Sequence, residues 1–221
     1  MTTDFLVIGT GVAGLSFAIK AAAHGSVTVL SKDRALQSNT AWAQGGIAAV
    51  LPEGLRDEGD SEERHIADTL DAGAGLCHDQ AVRTIINEGA ATIEELVSWG
   101  TAFDRSGDDH VHYALGKEGG HSQRRILHAK DTTGREIATS LLETARRTPN
   151  INLLEDHFPI DLITTGKLGR ATEDRVLGAH VLEESTGEVT VFRSNRIILA
   201  TGGCGKVYLY TTNPDSATGD G

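Results

Sequence analysis

An apolar run, Asp4-Phe5-Leu6-Val7-Ile8, leads directly into Gly9-Thr10-Gly11-Val12-Ala13-Gly14 and then into a helix-compatible stretch from Leu15 to Ala23. Short glycine patterns recur by chance, so the flanks carry the weight. A buried-strand signature before a GxGxxG and a helix after it predict the opening βαβ unit of a Rossmann-like α/β fold. Gly9 permits the tight turn, Gly11 lets backbone approach a pyrophosphate, and Gly14 lets the helix pack closely on the strand. The phosphates meet the helix N-terminus, so Thr10, Val12 and Ala13 join the three glycines as dinucleotide-binding candidates.

Val27-Thr28-Val29-Leu30 predicts the second parallel strand, with Gly25 as the terminator of the helix before it. An acid about 20 positions past the fingerprint normally holds the adenosine ribose. Here Ser31-Lys32 stand at that place and Asp33 follows. Ser31 can donate or accept a hydrogen bond. Lys32 is either a 2′-phosphate ligand or a solvated strand-exit lysine.

A second glycine signal, Ser38-Asn39-Thr40-Ala41-Trp42-Ala43-Gln44-Gly45-Gly46-Ile47, discriminates between dinucleotides. A nicotinamide enzyme has no need of a small-residue track just after its second strand. A flavin ring does, because it lies within van der Waals reach of backbone. Ala43, Gly45 and Gly46 open that approach, and Gln44 supplies an amide. Ser38, Asn39 and Thr40 supply short polar groups for ribityl and phosphate oxygens. FAD is the expected cofactor.

The remaining elements follow from periodicity and capping. The predicted order is strand 4–9, helix 11–24, strand 27–31 and a flavin loop to about Ala49. Residues 52–60 form an exposed acidic loop, and Ser61 caps a helix carrying Glu62 and Glu63 in its first turn. Helices at about 78–88 and 90–99 take their apolar faces from Ile85, Ile86, Ile93, Leu96, Val97 and Trp99. Phe103 to Tyr113 is strand and loop, with Gly107-Asp108-Asp109 a solvated turn. Thr132 or Thr133 caps a helix to about Arg147 that presents Ile137, Leu141 and Ala145 at one face. Strands then fall at 151–154, 159–164, 175–182, 189–193 and 196–201, with Ser185-Thr186-Gly187 as a hairpin signal.

Composition narrows the partners. At 221 residues the chain is long enough for one core or for a domain and part of another. A formal net charge of −11 argues against nucleic acid or an anionic membrane as partner. No apolar run approaches the ~20 residues that a bilayer span needs. Cys77 and Cys204 form no CxxC pair, which suits a reducing cytoplasm. His110, His112, His121 and His128 fit no zinc spacing, so no metal is expected.

Several motifs together carry a family likeness. Ser38-Asn39-Thr40 with Ala43-Gln44-Gly45-Gly46-Ile47-Ala48-Ala49 is followed by Glu118-Gly119-Gly120-His121-Ser122 and Arg124-Arg125-Ile126-Leu127-His128-Ala129. Asp131 to Arg135, Ala200-Thr201-Gly202-Gly203, Tyr208, Tyr210 to Pro214 and Gly219-Asp220-Gly221 come later in the same order. The chain resembles, from end to end, the succinate dehydrogenase/fumarate reductase flavoprotein family, and within it the members that oxidise L-aspartate. The predicted element order, a βαβ unit, a helical excursion, a small antiparallel β-meander and a returning parallel strand, is the layout of a glutathione-reductase-type FAD domain. The resemblance implies that residues 1–221 are the N-terminal portion of that domain, with the capping and C-terminal domains beyond them. Ala200, Thr201, Gly202 and Asp220 join the cofactor-binding set on this ground. Relatives with covalent FAD use a histidine where this chain has Asn39, so FAD should be held noncovalently.

The same likeness implies oxidation of L-aspartate to iminoaspartate at the start of quinolinate and NAD synthesis. Electrons would pass to oxygen or fumarate, and quinolinate synthase would act downstream. Glu118 is the candidate for the substrate ammonium. His121 and Ser122 are candidates for a substrate carboxylate or a flavin edge, with a structural hydrogen bond the other reading of His121. Arg124 and Arg125 read as helix-face or ion-pair residues, because the family's catalytic arginine and histidine come from later sequence. A fragment of this extent is expected to be inactive alone. The alternatives are a succinate dehydrogenase or fumarate reductase subunit, and a dinucleotide-binding module without catalysis.

Overall fold

A computed structural model describes residues 1–107, 111–169 and 173–221. In chain order, β1 (Phe5–Ile8), α1 (Val12–Ala21) and β2 (Val27–Leu30) form the opening unit, followed by a one-turn helix, α2 (Asn39–Trp42). Next come β3 (Ile47–Ala48), α3 (Glu62–Ala72), α4 (Asp79–Asn87) and α5 (Gly89–Ser98). Short strands β4 (Arg105–Ser106), β5 (His112–Tyr113) and β6 (Ile126–Leu127) precede α6 (Thr133–Arg147). The chain then runs through β7 (Ile151–Leu154), β8 (His157–Thr164), β9 (Val176–Glu183), β10 (Glu188–Arg193) and β11 (Ile197–Leu199). A 3-10 turn at Gly205–Val207 follows. Asp108, Asp109 and His110, named above, lie outside the described residues.

Two compact units are built from these elements: Met1–Trp42 with Ile137–Gly221, and Ala43–Glu136. In the first, a parallel four-stranded sheet has the order β11-β1-β2-β7. Strand alternation sorts its residues onto two faces. Val7, Val27 and Val29 pack with Ala18, Ala21 and Ala22 of the α1 side. Leu6 and Leu30 pack with Ala179, Val181 and Phe192 of the antiparallel meander β10-β9-β8. Covering both faces is what a parallel sheet requires, and it explains why β1 reads as an unbroken apolar run and β2 is interrupted only by the buried Thr28. On α6, Ile137, Leu141 and Ala145 are buried at the expected spacing.

In the second unit, Ser61 caps α3 by accepting the Arg64 amide N–H, as expected, and β3 pairs antiparallel with β6. Three sequence expectations change. The helix after the fingerprint ends at Ala21 with Ala22 as its C-cap, so Gly25 is not its terminator. Gly25 is needed because a Cβ there would lie 2.7 Å from the Asp4 carboxylate, which accepts the Ser26 N–H. Ile85, assigned to an apolar face, is 71% exposed; Ile86 alone of that pair is buried. Asn39–Trp42 is helical, where a loop was expected. Four residues are too few to show a 3.6-residue pattern.

Candidate functional site

A cavity of about 480 Å³ opens at the carboxyl ends of β1, β2 and β11 in the first unit. In open α/β sheets, ligands bind outside the carboxyl ends of the strands. Gly9 to Ala13 reach it after β1, Ser31 and Lys32 after β2, and Ala200 to Gly202 after β11. Ser38, Asn39, Thr40 and Asp220 complete the predicted residues on its wall. Gly14 stands one residue behind.

The three fingerprint glycines have separable reasons. Gly9 has φ +116°, and a Cβ there would lie 2.1 Å from the Ala200 carbonyl oxygen. A Cβ on Gly14 would lie 2.0 Å from the Gly9 carbonyl oxygen. These two serve the packing of the sheet. At Gly11 the nearest such atom is Thr40 Oγ1 at 3.4 Å, so its missing side chain leaves room on the cavity side. Gly11 also caps α1 without a side-chain hydrogen bond, and no acid occupies the first turn. No acid opposes an anion at that helix end, although the Val12 N–H already donates to Thr40 Oγ1 at 3.0 Å.

Hydroxyl protons along the wall can be counted. Thr10 Oγ1 donates to the Ala35 carbonyl at 3.0 Å, which uses its one proton. In the 3.1 Å contact between Thr10 and Ser31, the Ser31 hydroxyl must therefore be the donor. Ser31 is left with acceptor capacity only, the role that an acidic residue plays toward a ribose diol. Sequence left donor and acceptor open; the Thr10 contact selects the acceptor. Lys32 Nζ is bound to Asp220 and to Thr218 Oγ1. The Lys32 hydrogen bond, with that of Thr218, holds the Asp220 carboxyl below its ordinary range. A lysine so neutralised is a poor site for a 2′-phosphate.

Asn39 supplies the fit test for a bound group. Its Oδ1 is buried with no hydrogen-bond partner among the described residues, although the residue lines the cavity. An orphaned buried acceptor costs about 1–3 kcal/mol unless a donor meets it. The ribityl and ribose hydroxyls of a flavin dinucleotide are such donors. The residues present fit the group.

In the second unit, Gln44 and Gly45 are exposed. The Ala43 carbonyl accepts the Gly134 N–H. A Cβ on Gly46 would lie 2.3 Å from the Leu127 carbonyl oxygen, so the approach of β6 already demands glycine there. The reading that this glycine serves the flavin alone is too narrow. Gly45 is different: the nearest atom to its missing Cβ is Glu118 Oε1, at 4.0 Å. The glycine track and the candidate ammonium ligand are thus neighbours.

The segment after Glu118 is tied down from behind. Ser122 donates both its backbone N–H and its hydroxyl to Asp68 Oδ2, each at 2.8 Å. Its hydroxyl proton is therefore spent on Asp68 and does not point at a substrate carboxylate. Asp68 also accepts from Arg125 NH1 at 2.6 Å. Burial alone would push the Asp68 carboxyl up. Hydrogen bonds from the Ser122 N–H, Arg125 and the Ser122 hydroxyl, with the Arg125 charge, outweigh it and carry the pKa to about 2.

Arg125 is fully buried and grips Asp60 from Nε and NH2, the latter at 2.7 Å. Its NH1 meets His121 Nδ1 at 3.2 Å. A guanidinium can only donate, so Nδ1 accepts and the His121 proton sits on Nε2. This favours the structural-bond reading of His121. Burial first, then the Arg125 charge and His121, push the neighbouring His65 below its usual range, and His65 Nδ1 is buried without a hydrogen-bond partner among the described residues. Arg124, by contrast, is exposed.

The role of Asp60 and Asp68 has no local signature. They precede Arg125 by 65 and 57 residues. Among the described residues, no group of three or more His, Cys, Asp or Glu side chains is placed to hold a metal ion. His128 Nδ1 pairs instead with Asp104 at 3.1 Å.

The glycine turn on the cavity wall, the helix end without an acid and the orphaned Asn39 are those of a dinucleotide-binding protein of the flavin class. The chain belongs to the FAD binding domain family, which it matches over residues 4–221, and FAD is its cofactor. It is similar to L-aspartate oxidase 1 of Ralstonia nicotianae, with 49% identity over 221 residues that cover 100% of this chain and 40% of that protein. L-aspartate oxidase of Pseudomonas aeruginosa is 49% identical over 224 residues, covering 99% of this chain and 40% of that one. Among solved structures, a point mutant of E. coli quinol fumarate reductase FrdA superposes with a TM-score of 0.87 at 30% identity. That match covers 100% of this chain and 36% of the other. The chain spans about two fifths of the length of the curated relatives it matches.

Proposed function

We propose that this chain is the N-terminal portion, residues 1–221, of a glutathione-reductase-type FAD domain in a protein that oxidises L-aspartate to iminoaspartate. The observation that carries the reading is Glu118 beside the Gly45 track, in a chain 49% identical to named L-aspartate oxidases. The sequence of parallel sheet and antiparallel meander supports the domain type.

When bound, FAD supplies the two-electron acceptor for a hydride leaving the aspartate Cα. The chain's own residues hold and orient. Gly11 and the α1 N-terminus cradle the phosphates, and Ser31 accepts from the adenosine ribose. Asn39 accepts from ribityl or ribose hydroxyls, and as an amide it forms no covalent link to the cofactor. Glu118 binds the substrate ammonium, so that Cα is presented in one orientation. The dicarboxylate charge needs arginines, whose fork matches carboxylates; Arg125 is committed to Asp60 and Asp68 and is not one of them. Oxygen or fumarate would take the electrons, and an enzyme of the quinolinate synthase class would consume the imine. A cytoplasmic location accords with the two unpaired cysteines. No helix among the described residues is long and apolar enough to cross a membrane.

The test is anaerobic flavin reduction in the full-length holoprotein. L-aspartate is expected to bleach the visible flavin absorption and succinate to leave it unchanged. Bleaching by succinate and not by aspartate would transfer the protein to the dehydrogenase side of the family. For the cofactor, Ser31→Ala is expected to weaken FAD about 5- to 30-fold, the worth of one or two hydrogen-bond increments. FMN has no adenosine ribose, so its affinity should not move; titration with both flavins checks this.

A further inference from the structure

We propose that Asp68 is a positioning residue for substrate recognition, acting through the 117–122 turn to set the Glu118 carboxylate. The inference rests on the reading of Glu118 as the ammonium ligand. It adds a device that begins with the buried Arg125.

Glu118 itself is exposed on a glycine-rich turn, Glu118-Gly119-Gly120, in which Gly120 has φ +82°. Such a turn has little stiffness of its own. Its stiffness comes from its ends. The His121 N–H bonds to the Glu118 carbonyl at 3.3 Å, and Lys117 Nζ reaches the Ser122 carbonyl at 2.8 Å. Those bonds close the turn but do not anchor it. The anchor is Asp68 on α3, whose one oxygen takes both Ser122 donors and Arg125 NH1.

Asp68 is in turn located by a guanidinium that cannot move, because Arg125 is 0% exposed and its other edge is locked on Asp60. The chain of constraint therefore runs from Asp60 through Arg125 and Asp68 to Ser122, four residues past Glu118. Every link is a charge-assisted hydrogen bond, the kind that fixes direction as well as distance. An ion pair between exposed groups would not hold a carboxylate to fractions of an ångström. A half-buried Asp68 that takes three hydrogen bonds on one oxygen, one of them from the buried Arg125, is held far more firmly.

The experiment uses the full-length holoenzyme. Asp68→Ala keeps Arg125 paired with Asp60, and it is expected to raise KM for L-aspartate about tenfold, in the range that small misplacements of a binding group produce. Succinate, which lacks the ammonium, should bind with unchanged Kd by flavin difference spectra. In a double-mutant cycle, Asp68→Ala should add nothing to the KM of Glu118→Gln, since both remove the same interaction. Ser122→Ala loses one of the two Ser122 bonds with no change of charge, and should show the same selectivity at about threefold. It carries the test if Asp68→Ala does not fold.

An equal loss for aspartate and succinate, effects that add to Glu118→Gln, or an unchanged aspartate KM would each overturn the proposal. Failure of the wild-type holoenzyme to oxidise aspartate is a separate result, and it removes the function reading instead.

Discussion

Gly9→Ala is expected to cost about 3–5 kcal/mol of folding stability, enough to unfold a marginal domain. The new Cβ would sit 2.1 Å from the Ala200 carbonyl oxygen, a backbone atom that moves only if β11 moves. The residue would also have to hold φ +116°, where L side chains are strained. Gly11→Ala makes the informative contrast. Its φ is −71°, ordinary for any residue, and its Cβ meets nothing closer than 3.4 Å. The fold should lose only about 1 kcal/mol, from the poorer N-cap. FAD affinity should fall about 10- to 100-fold if, as proposed, the cavity space beside Gly11 takes the phosphates, because the methyl group would enter it. Urea unfolding and flavin titration of the two variants check the separation. If Gly9→Ala melts like the wild type, the assignment of that glycine to sheet packing fails.

Arg125→Met is the second large effect. It leaves Asp60, with a side chain only 1% exposed, and Asp68 without their cation. Breaking a buried pair by removing one partner costs about 3–5 kcal/mol, far more than the pair contributes over an apolar replacement. Arg125→Lys should recover only part of this, since an ammonium cannot form the two-edged fork to Asp60 and Asp68 together.

The same cluster predicts an acid limb of stability. The folded Asp68 pKa of about 2 lies below the unfolded value near ~3.9. Its contribution is therefore complete above about pH 4 and is lost as pH falls through about 2. Asp68→Asn should flatten the stability slope in that window and leave the slope near neutrality unchanged. Chemical denaturation at a series of pH values measures it. An unaltered acid limb in Asp68→Asn would show that the carboxylate is not held by its partners.

Legibility in the sequence followed the range of the interactions. The β1-α1-β2 unit was readable to within a few residues, because its apolar runs, glycine spacing and helix all lie inside a 30-residue window. The α3 cap at Ser61 was equally local. Two-residue strands such as β3 and β6 have no period to detect; they exist because Ile47 and Ala48 find Leu127 and Ile126 across the chain. Ile85 and Ile86 are chemically alike, and only the packing of the finished helix decides that one is buried and the other exposed.

The site divides in the same way. Glycine positions, the amide at Asn39 and the carboxylate at Glu118 are properties of the residues themselves, and with them came the dinucleotide class and the flavin. Tertiary structure decided how the polar groups spend their hydrogen-bonding capacity. Thr10 turns Ser31 into an acceptor, Asp220 takes the charge of Lys32, and Asp68 claims both donors of Ser122. It also buried Arg125 between two carboxylates that the chain places 57 and 65 residues away. The physical reason is that periodicity and capping act over a few residues. A buried charge or hydroxyl takes its role from whichever partners the completed fold brings within about 3 Å, after water has been excluded.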